Sequence, residues 1–177
     1  AFILVLFQAW LGGEVVKSGL RPGIITVHMV MAIILLTLLL YIVHSSREKD
    51  SADIKAHSLG IALRVLFALT CFQVIIGTQV RESVDPYIKS VETPDAQPRS
   101  EWLKSAGWKD HVHRIASWAV LILSIILARG CHRQKLSKKV RQLAYWVLGL
   151  VLLQILLGIT LAYMALPPAS QVLHLAN

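Results

Sequence analysis

The sequence predicts an all-α, polytopic membrane protein whose helices form pseudo-symmetric four-helix bundles. The chain of 177 residues is 55% apolar and only 16% charged, and its mean hydropathy is +0.61. A soluble domain averages about 45–50% apolar and about 25% charged residues. The composition therefore excludes a disordered chain, a disulfide scaffold and a typical nucleic-acid-binding module.

Four apolar segments are long enough to cross a bilayer, which takes about 20 helical residues. They are residues 24–43, 59–80, 112–128 and 143–164. Shorter apolar segments stand at residues 1–11 and 172–177, and we expect both to be parts of helices whose remainder lies outside this sequence. The chain thus predicts four complete and two partial membrane helices of a larger protein.

The formal charge of +8 indicates orientation instead of a nucleic-acid partner, because membrane proteins concentrate Lys and Arg in cytoplasmic loops. The connection at residues 129–141 carries six bases and no acid, and residues 45–56 carry three bases. We expect both to face the cytoplasm and the other connections to face outward. The two cysteines, Cys71 and Cys131, lack metal-site spacing and are predicted to be free thiols.

Residues 81–110 form the long outer connection, which contains three prolines. Within it, Ser100 is a candidate N-cap for a short helix. Trp102 on that helix, together with Trp108, would rest on the outer membrane surface. An irregular lid with incidental tryptophans is the alternative.

A short pattern recurs near the outer end of three outward-running helices: an apolar residue, Gln, three apolar residues and Gly. The glutamines are Gln8, Gln73 and Gln154. Gln and Gly four residues apart share a helix face, where Gly admits a neighbouring backbone and the amide can bond across helices. His28 and His174 each follow such a Gln by twenty residues. The spacing predicts repeated helix pairs and two similar bundles.

Three histidines share one depth, about one turn into inward-running helices: His28, His113 and His174. Ionisable residues inside a membrane are costly and usually functional. Two imidazoles on neighbouring helices commonly hold a haem iron from both sides, whereas a hydrogen-bonded structural histidine is the alternative. Zinc is disfavoured because these helices offer no Cys, Glu or second His at ligand spacing. His111 points to a different helix face from His113.

Charged and polar residues accompany these histidines. Asp110 is three residues from His113 on one helix face, where it orients the imidazole, contacts a substrate or caps the helix. Arg81 and Arg114 either pair with haem propionates or act as interface anchors. Gln73 and Gln154 are candidate supports behind the ligating histidines.

Taken in order, the motifs resemble the haem A synthase family in a bacterial, Bacteroidetes-like form. Residues 7–13 and 25–28 are similar to the third and fourth helices of that family. Residues 76–81 and 110–114 resemble the fifth and sixth helices. Residues 154–158, followed by His174, resemble the seventh helix and the start of the eighth. The likeness covers essentially the whole chain.

The resemblance implies eight helices in two pseudo-symmetric halves. Residues 1–44 would be the second half of the N-terminal bundle, which receives the substrate haem. Residues 45–56 would be a cytoplasmic linker, and residues 57–177 the C-terminal bundle, which holds haem b.

The resemblance also implies the reaction of the family, in which the C8 methyl of haem O is oxidised to the formyl group of haem A for terminal oxidases. His113 and His174 would then ligate the iron of haem b, and His28 would be the catalytic-site ligand of the substrate haem iron. The partner of His28 would lie on a helix outside this sequence. The chain departs from the family in His111, which is additional, and in lacking the paired cysteines of many bacterial members.

Two other functions fit the same residues: a non-enzymatic bis-histidine b-type cytochrome for electron transfer, and a haem-free assembly or accessory subunit of a respiratory complex. We expect the bacterial inner membrane, with the histidines near its periplasmic side. The expected partners are membrane lipid, haem O synthase or respiratory-oxidase assembly proteins and a second copy of the chain, with no nucleic acid.

Overall fold

A computed structural model describes residues 2–19, 21–45, 57–90, 99–164, 170 and 173–174. This part of the chain is helical and contains no strand, which confirms the predicted all-α class. The helices are α1 (Phe2–Lys17), α2 (Ile24–Ser45), α3 (His57–Ser90), α4 (Arg99–Ala106), α5 (Trp108–Arg133) and α6 (Lys138–Tyr163). Of these described helices, α2, α3, α5 and α6 are long and apolar enough to cross a bilayer. The protein is therefore a multi-pass membrane protein.

Two predicted segments fall largely outside the described residues. The linker predicted at residues 45–56 is described only at Ser45, where α2 ends. Of the segment predicted at residues 172–177, residues 173–174 are described, and both are helical.

The outer surface of the spanning helices is apolar, as a lipid-facing surface must be. Ile115 on α5 is 69% exposed, and Trp118, one helical turn further along, is also exposed. Tyr41 on α2 and Trp146 on α6 are exposed near the predicted cytoplasmic ends, where aromatic side chains commonly lie at the membrane interface. A helix that is apolar on all sides is stable only when its surroundings are apolar as well.

Leaving aside the short α4, each helix packs on the next one in the chain: α1 on α2, α2 on α3, α3 on α5 and α5 on α6. The largest group of buried side chains lies among α3, α5 and α6 and includes Leu66, Val120 and Ala144. Gly130 marks a close approach of α5 to α3, because a Cβ there would stand 2.5 Å from Cδ2 of Leu59. Small residues at such crossings let membrane helices come together.

The third helix is longer than the apolar segment at residues 59–80 predicts. α3 continues to Ser90 and contains Pro86 in its interior, so the prediction that a loop starts at residue 81 is wrong. Proline removes one helical hydrogen bond, but here the flanking apolar side chains Val84 and Tyr87 pack against α4. Tertiary packing thus maintains a helix that the sequence pattern would end.

The short outer helix is confirmed, although it begins at Arg99, one residue before the predicted cap. Trp102 is only 6% exposed and packs against Val84 of α3. The prediction that Trp102 rests on the membrane is therefore wrong, whereas Trp108 is exposed. Gly107 separates α4 from α5 with a φ of 55°, a conformation that other residues rarely adopt.

The cytoplasmic connection predicted at residues 129–141 is a turn of four residues between α5 and α6. Ser137 caps α6, because its hydroxyl accepts a hydrogen bond from the backbone N–H of Val140 at 3.4 Å. Arg133 lies in the last turn of α5, where a cation interacts favourably with the helix dipole. Cys71 and Cys131 are free thiols, as predicted.

Candidate functional site

The three histidines have the same surroundings. In each case a glutamine on the long helix before it in the chain donates its side-chain amide to the backbone carbonyl oxygen of the histidine. The pairs are Gln8 with His28 at 3.1 Å, Gln73 with His113 at 3.0 Å and Gln154 with His174 at 2.7 Å. The predicted repeat is therefore a repeat of geometry as well as of sequence.

A glycine completes each arrangement. Its Cα faces the edge of the imidazole. A Cβ on the glycine would lie a few tenths of an ångström closer to the Cε1 atom of the ring than ordinary van der Waals contact allows. The distances are 3.1 Å at Gly12 to His28, 3.1 Å at Gly77 to His113 and 3.3 Å at Gly158 to His174. The glutamine thus fixes the backbone of the helix that carries the histidine. The glycine leaves room for the imidazole beside the neighbouring helix.

We call these arrangements the first, second and third histidine sites. The first consists of Gln8, Gly12 and His28. The second consists of Gln73, Gly77 and His113. The third consists of Gln154, Gly158 and His174.

The ring nitrogens of these sites are poorly satisfied by the protein. In the described part of the chain, the Nδ1 atoms of His28, His113 and His174 are buried and have no hydrogen-bond partner. The Nε2 atoms of His28 and His113 lie 3.5 and 3.4 Å from the amide nitrogen of the glutamine, which is long for a hydrogen bond. An unpaired buried polar atom costs about 1–3 kcal/mol. Ligation of a metal through a ring nitrogen would remove that cost, so the residues fit a haem iron.

His174 is close enough to His113 to act on it electrostatically. Two imidazoles from adjacent helices can ligate one iron from both sides. Within the described residues, no three His, Cys, Asp or Glu side chains come together as a metal site.

The second site is held more firmly than the first. Gln73 also donates to the hydroxyl of Ser117, and this hydroxyl donates to the carbonyl of His113 at 2.8 Å. The residue one turn after His28 is Ala32, which cannot make such bonds. The two sites therefore share a framework and differ in the number of bonds that fix it.

Two arginines stand at the outer side of the second site, each in an ion pair one turn along its own helix. The Nε atom of Arg114 lies 2.9 Å from a carboxylate oxygen of Asp110. The Nε atom of Arg81 lies 3.3 Å from a carboxylate oxygen of Asp85. Both arginine side chains remain more than 40% exposed, at 43% and 42%. They are held in place while still accessible to an anionic group.

Asp110 is directed at Arg114 in this arrangement. The Nδ1 atom of His113 has no partner in the described residues, so the carboxylate acts on the imidazole only through its charge. The cap of α5 is Gly107, without a side-chain hydrogen bond, and Asp110 lies in the first turn of that helix. An acidic residue there interacts favourably with the helix dipole.

Gln73, which the sequence analysis names as a candidate support behind a ligating histidine, bonds His113 across forty residues instead of twenty, because the end of α3 and the whole of α4 lie between them. Sequence reasoning missed one feature of these sites. Glu82 was counted among the residues of a loop, but it lies buried on α3. The apolar stripe formed by Val80, Val84 and Tyr87 recurs at helical spacing and was the signal that the helix continues.

A family model described as COX15-CtaA, cytochrome oxidase assembly protein, matches residues 1–177, the whole chain. No curated protein and no solved structure matches the chain. All three histidine sites lie within the residues that the family model covers.

Proposed function

This chain belongs to the COX15-CtaA family of cytochrome oxidase assembly proteins, the haem A synthase family, and from that premise we propose that it oxidises haem O to haem A. The reaction converts the C8 methyl of the porphyrin to a formyl group. One observation carries the proposal: three histidines lie in matching sites, each with a buried Nδ1 atom that has no partner in the described residues.

In this proposal His113 and His174 hold haem b between α5 and the helical piece at residues 173–174. The electrostatic effect of His174 on His113 supports the pairing, since ligands of one iron must be neighbours. His28 is one ligand of the substrate haem. Converting a methyl to a formyl group takes one oxygen atom, for example from water, and releases four protons and four electrons, which an external one-electron acceptor must take up. Haem b would supply one-electron transfer towards that acceptor when bound.

The residues around the imidazoles have positioning roles. The glutamine amides hold the histidine backbones at 2.7–3.1 Å, which fixes the depth of each imidazole in the membrane. The glycines leave room for the edge of each ring beside the neighbouring helix. Fixed ligand orientation strengthens a metal site, because the ligand loses little further freedom on binding.

We assign Arg81 and Arg114 to the propionates of haem b. Guanidinium groups bind carboxylates well, and both are partly exposed, one turn after Gly77 on α3 and directly after His113 on α5. Asp85 and Asp110 hold these guanidinium groups through the ion pairs described above. The propionates would then point away from the apolar centre of the membrane.

The domain assignment of the proposal follows the histidine sites. Residues 1–44 contribute the first site and belong to the half that receives the substrate haem. Residues 57–177 contribute the second and third sites and form the half that holds haem b, with residues 45–56 as the cytoplasmic linker between them. Contacts between α2 and α3 support a direct junction of the two halves.

We propose the bacterial inner membrane as the location, with the histidine sites near its periplasmic face. The basic turn between α5 and α6 lies at the opposite end of these helices from His113, and the excess of Lys and Arg there supports a cytoplasmic position. The exposed apolar surface contacts membrane lipid. Haem O synthase, other oxidase assembly proteins and a second copy of the chain are the proposed protein partners.

One alternative has an observation in its favour. The second and third sites alone would bind a haem b, and such a protein could be an electron-transfer cytochrome without enzymatic activity. Pigment extraction from the purified full-length protein separates the two functions. The synthase contains haem B together with haem O or haem A.

Haem B alone, with a reversible redox potential, would support the cytochrome and contradict the synthase. A protein without a Soret band would support a haem-free accessory subunit and contradict both. Expression in a cell without other haem A synthases ensures that any haem A found was made by this protein.

A further inference from the structure

The first turn of α2 is held from two opposite sides. His28 faces α1, where Gln8 donates to its backbone carbonyl at 3.1 Å. Thr26, two residues earlier, faces α3 and contacts Glu82. Residues two apart lie on different faces of a helix, so α2 is fixed between its neighbours at the level of the first histidine site.

Glu82 makes the principal contact on the α3 side. One oxygen of its carboxylate accepts hydrogen bonds from the backbone N–H of Thr26 at 3.1 Å and from the Thr26 hydroxyl at 2.8 Å. The other oxygen accepts a bond from the amide of Gln79 at 3.1 Å. Glu82 is only 7% exposed. A buried carboxylate is costly unless hydrogen bonds satisfy it, and here three donors do.

The carboxylate supplies a cap that the sequence around α2 does not provide. The first N–H groups of a helix have no partner within it, and the residue before α2 is Gly23, with a φ of 87° and no side chain to accept a bond. Glu82 accepts the N–H of Thr26 from a different helix. Its negative charge also interacts favourably with the positive end of the α2 dipole.

The same cluster reaches the second histidine site. The Thr78 hydroxyl lies 3.2 Å from the Thr26 hydroxyl, and the Gln79 amide donates to that hydroxyl at 2.6 Å. Thr78 directly follows Gly77, whose Cα faces the imidazole of His113. A polar contact therefore joins Thr78, next to the second histidine site, with Thr26, two residues before His28 of the first site.

We propose that Glu82 is a positioning residue that sets His28 at a fixed place relative to the second histidine site. It acts by holding the first turn of α2 against α3, and Thr26 transmits its position to His28. The proposal rests on the proposed function in taking His28 as a haem ligand. Glu82 would thereby join the two proposed halves and fix the position of the first histidine site relative to the second.

The test uses full-length protein in lipid nanodiscs with two readouts. Hydrogen exchange of a peptide covering residues 24–28 reports on the first turn of α2 without requiring haem. Electron paramagnetic resonance of protein loaded with haem O reports on the ligation at His28 and, separately, at the pair His113 and His174. The variants are Glu82→Ala, Glu82→Gln and the control Glu101→Gln, which alters an exposed carboxylate paired with Lys104.

We expect Glu82→Ala to speed exchange of residues 24–28 by about tenfold or more, because the Thr26 N–H loses a charge-assisted acceptor. The signal of the haem at His28 should shift or disappear, whereas the signal from His113 and His174 stays unchanged. Glu82→Gln should restore part of both readouts, since its amide oxygen still accepts from Thr26 but its NH2 group cannot accept from Gln79. Glu101→Gln should match the wild type.

Unchanged exchange in Glu82→Ala would overturn the proposal. Faster exchange with an unaltered haem signal at His28 would reduce Glu82 to a helix cap and overturn its positioning role. Equal changes in both haem signals would also overturn it, because the effect would be general disruption. A wild-type protein that binds no haem would overturn the proposed function instead, while the exchange data would still decide whether Glu82 holds α2.

Discussion

Gln73 on α3 donates its side-chain amide to the backbone carbonyl of His113 on α5 at 3.0 Å, although forty residues separate them. The bond joins a side chain to the backbone, so it fixes the helix that carries the imidazole and leaves the ring nitrogens available. Ser117 adds a second donor to the same carbonyl. The height of His113 in the membrane is therefore set by α3.

Replacing Gln73 tests this relationship. Gln73→Leu keeps a similar volume but removes the amide that bonds His113 and Ser117. We expect a loss of stability of about 1–2 kcal/mol, from the value of a net hydrogen bond, and a broader low-spin haem b signal. Thermal unfolding in detergent and electron paramagnetic resonance measure the two effects.

The control for that prediction is Gln142→Leu, which makes the same exchange at an exposed position of α6. It should leave both readouts as in the wild type. Equal behaviour of the two variants would show that the bond from Gln73 does not position His113.

A methyl group at Gly77 should displace the imidazole of His113. The Cβ of Gly77→Ala would lie 3.1 Å from Cε1 of the ring, closer than ordinary van der Waals contact. We expect reduced haem b content and a shifted absorption maximum in the purified protein. Gly149→Ala is the matched control, because a Cβ at Gly149 meets no atom within 4 Å.

Alanine favours a helix over glycine by about 1 kcal/mol in soluble systems, so Gly149→Ala should be as stable as the wild type or more so. Normal haem b content in Gly77→Ala would contradict the role assigned to the glycine of the second histidine site. Loss of haem b in both variants would point to a general intolerance of alanine.

Replacing Gly130 tests the packing of α5 against α3, without reference to haem. A Cβ at this position would stand 2.5 Å from Cδ2 of Leu59, so Gly130→Ala overpacks the contact between α5 and α3. We expect destabilisation of about 1–3 kcal/mol, measured as a lower midpoint of thermal unfolding. Leu59→Ala in the same chain should recover part of the loss, since it makes room for the methyl group. An unchanged midpoint in Gly130→Ala would contradict the predicted overpacking between α5 and α3.

The sequence predicted the membrane class and the four spans because long apolar runs have a direct physical meaning in lipid. Their ends were less predictable. α3 continues past the apolar run at residues 59–80 to Ser90, since helical hydrogen bonds do not end where the membrane ends. Pro86 favoured an earlier end, and the packing of Tyr87 against α4 overrode that local preference.

The site was predictable where its spacing repeats. His28 follows Gln8, and His174 follows Gln154, by the same twenty residues. The connection containing α4 doubles that separation for His113, so the repeated pattern identified Gln73 but the twenty-residue spacing did not pair it with His113. The burial of Glu82 depends on the crossing of α2 and α3, a contact between distant parts of the chain that no local pattern encodes.

We propose that His113 and His174 hold haem b and that His28 ligates the substrate haem. The most direct measurement compares the extracted haems of His28→Ala and His113→Ala, expressed in full-length protein in a cell without other haem A synthases. His132→Ala serves as the control because His132 is exposed at the opposite end of α5. We predict that His28→Ala retains low-spin haem B but yields no haem A, and that His113→Ala loses haem B. Normal haem A production by His28→Ala, or a normal low-spin spectrum in His113→Ala, would contradict the account.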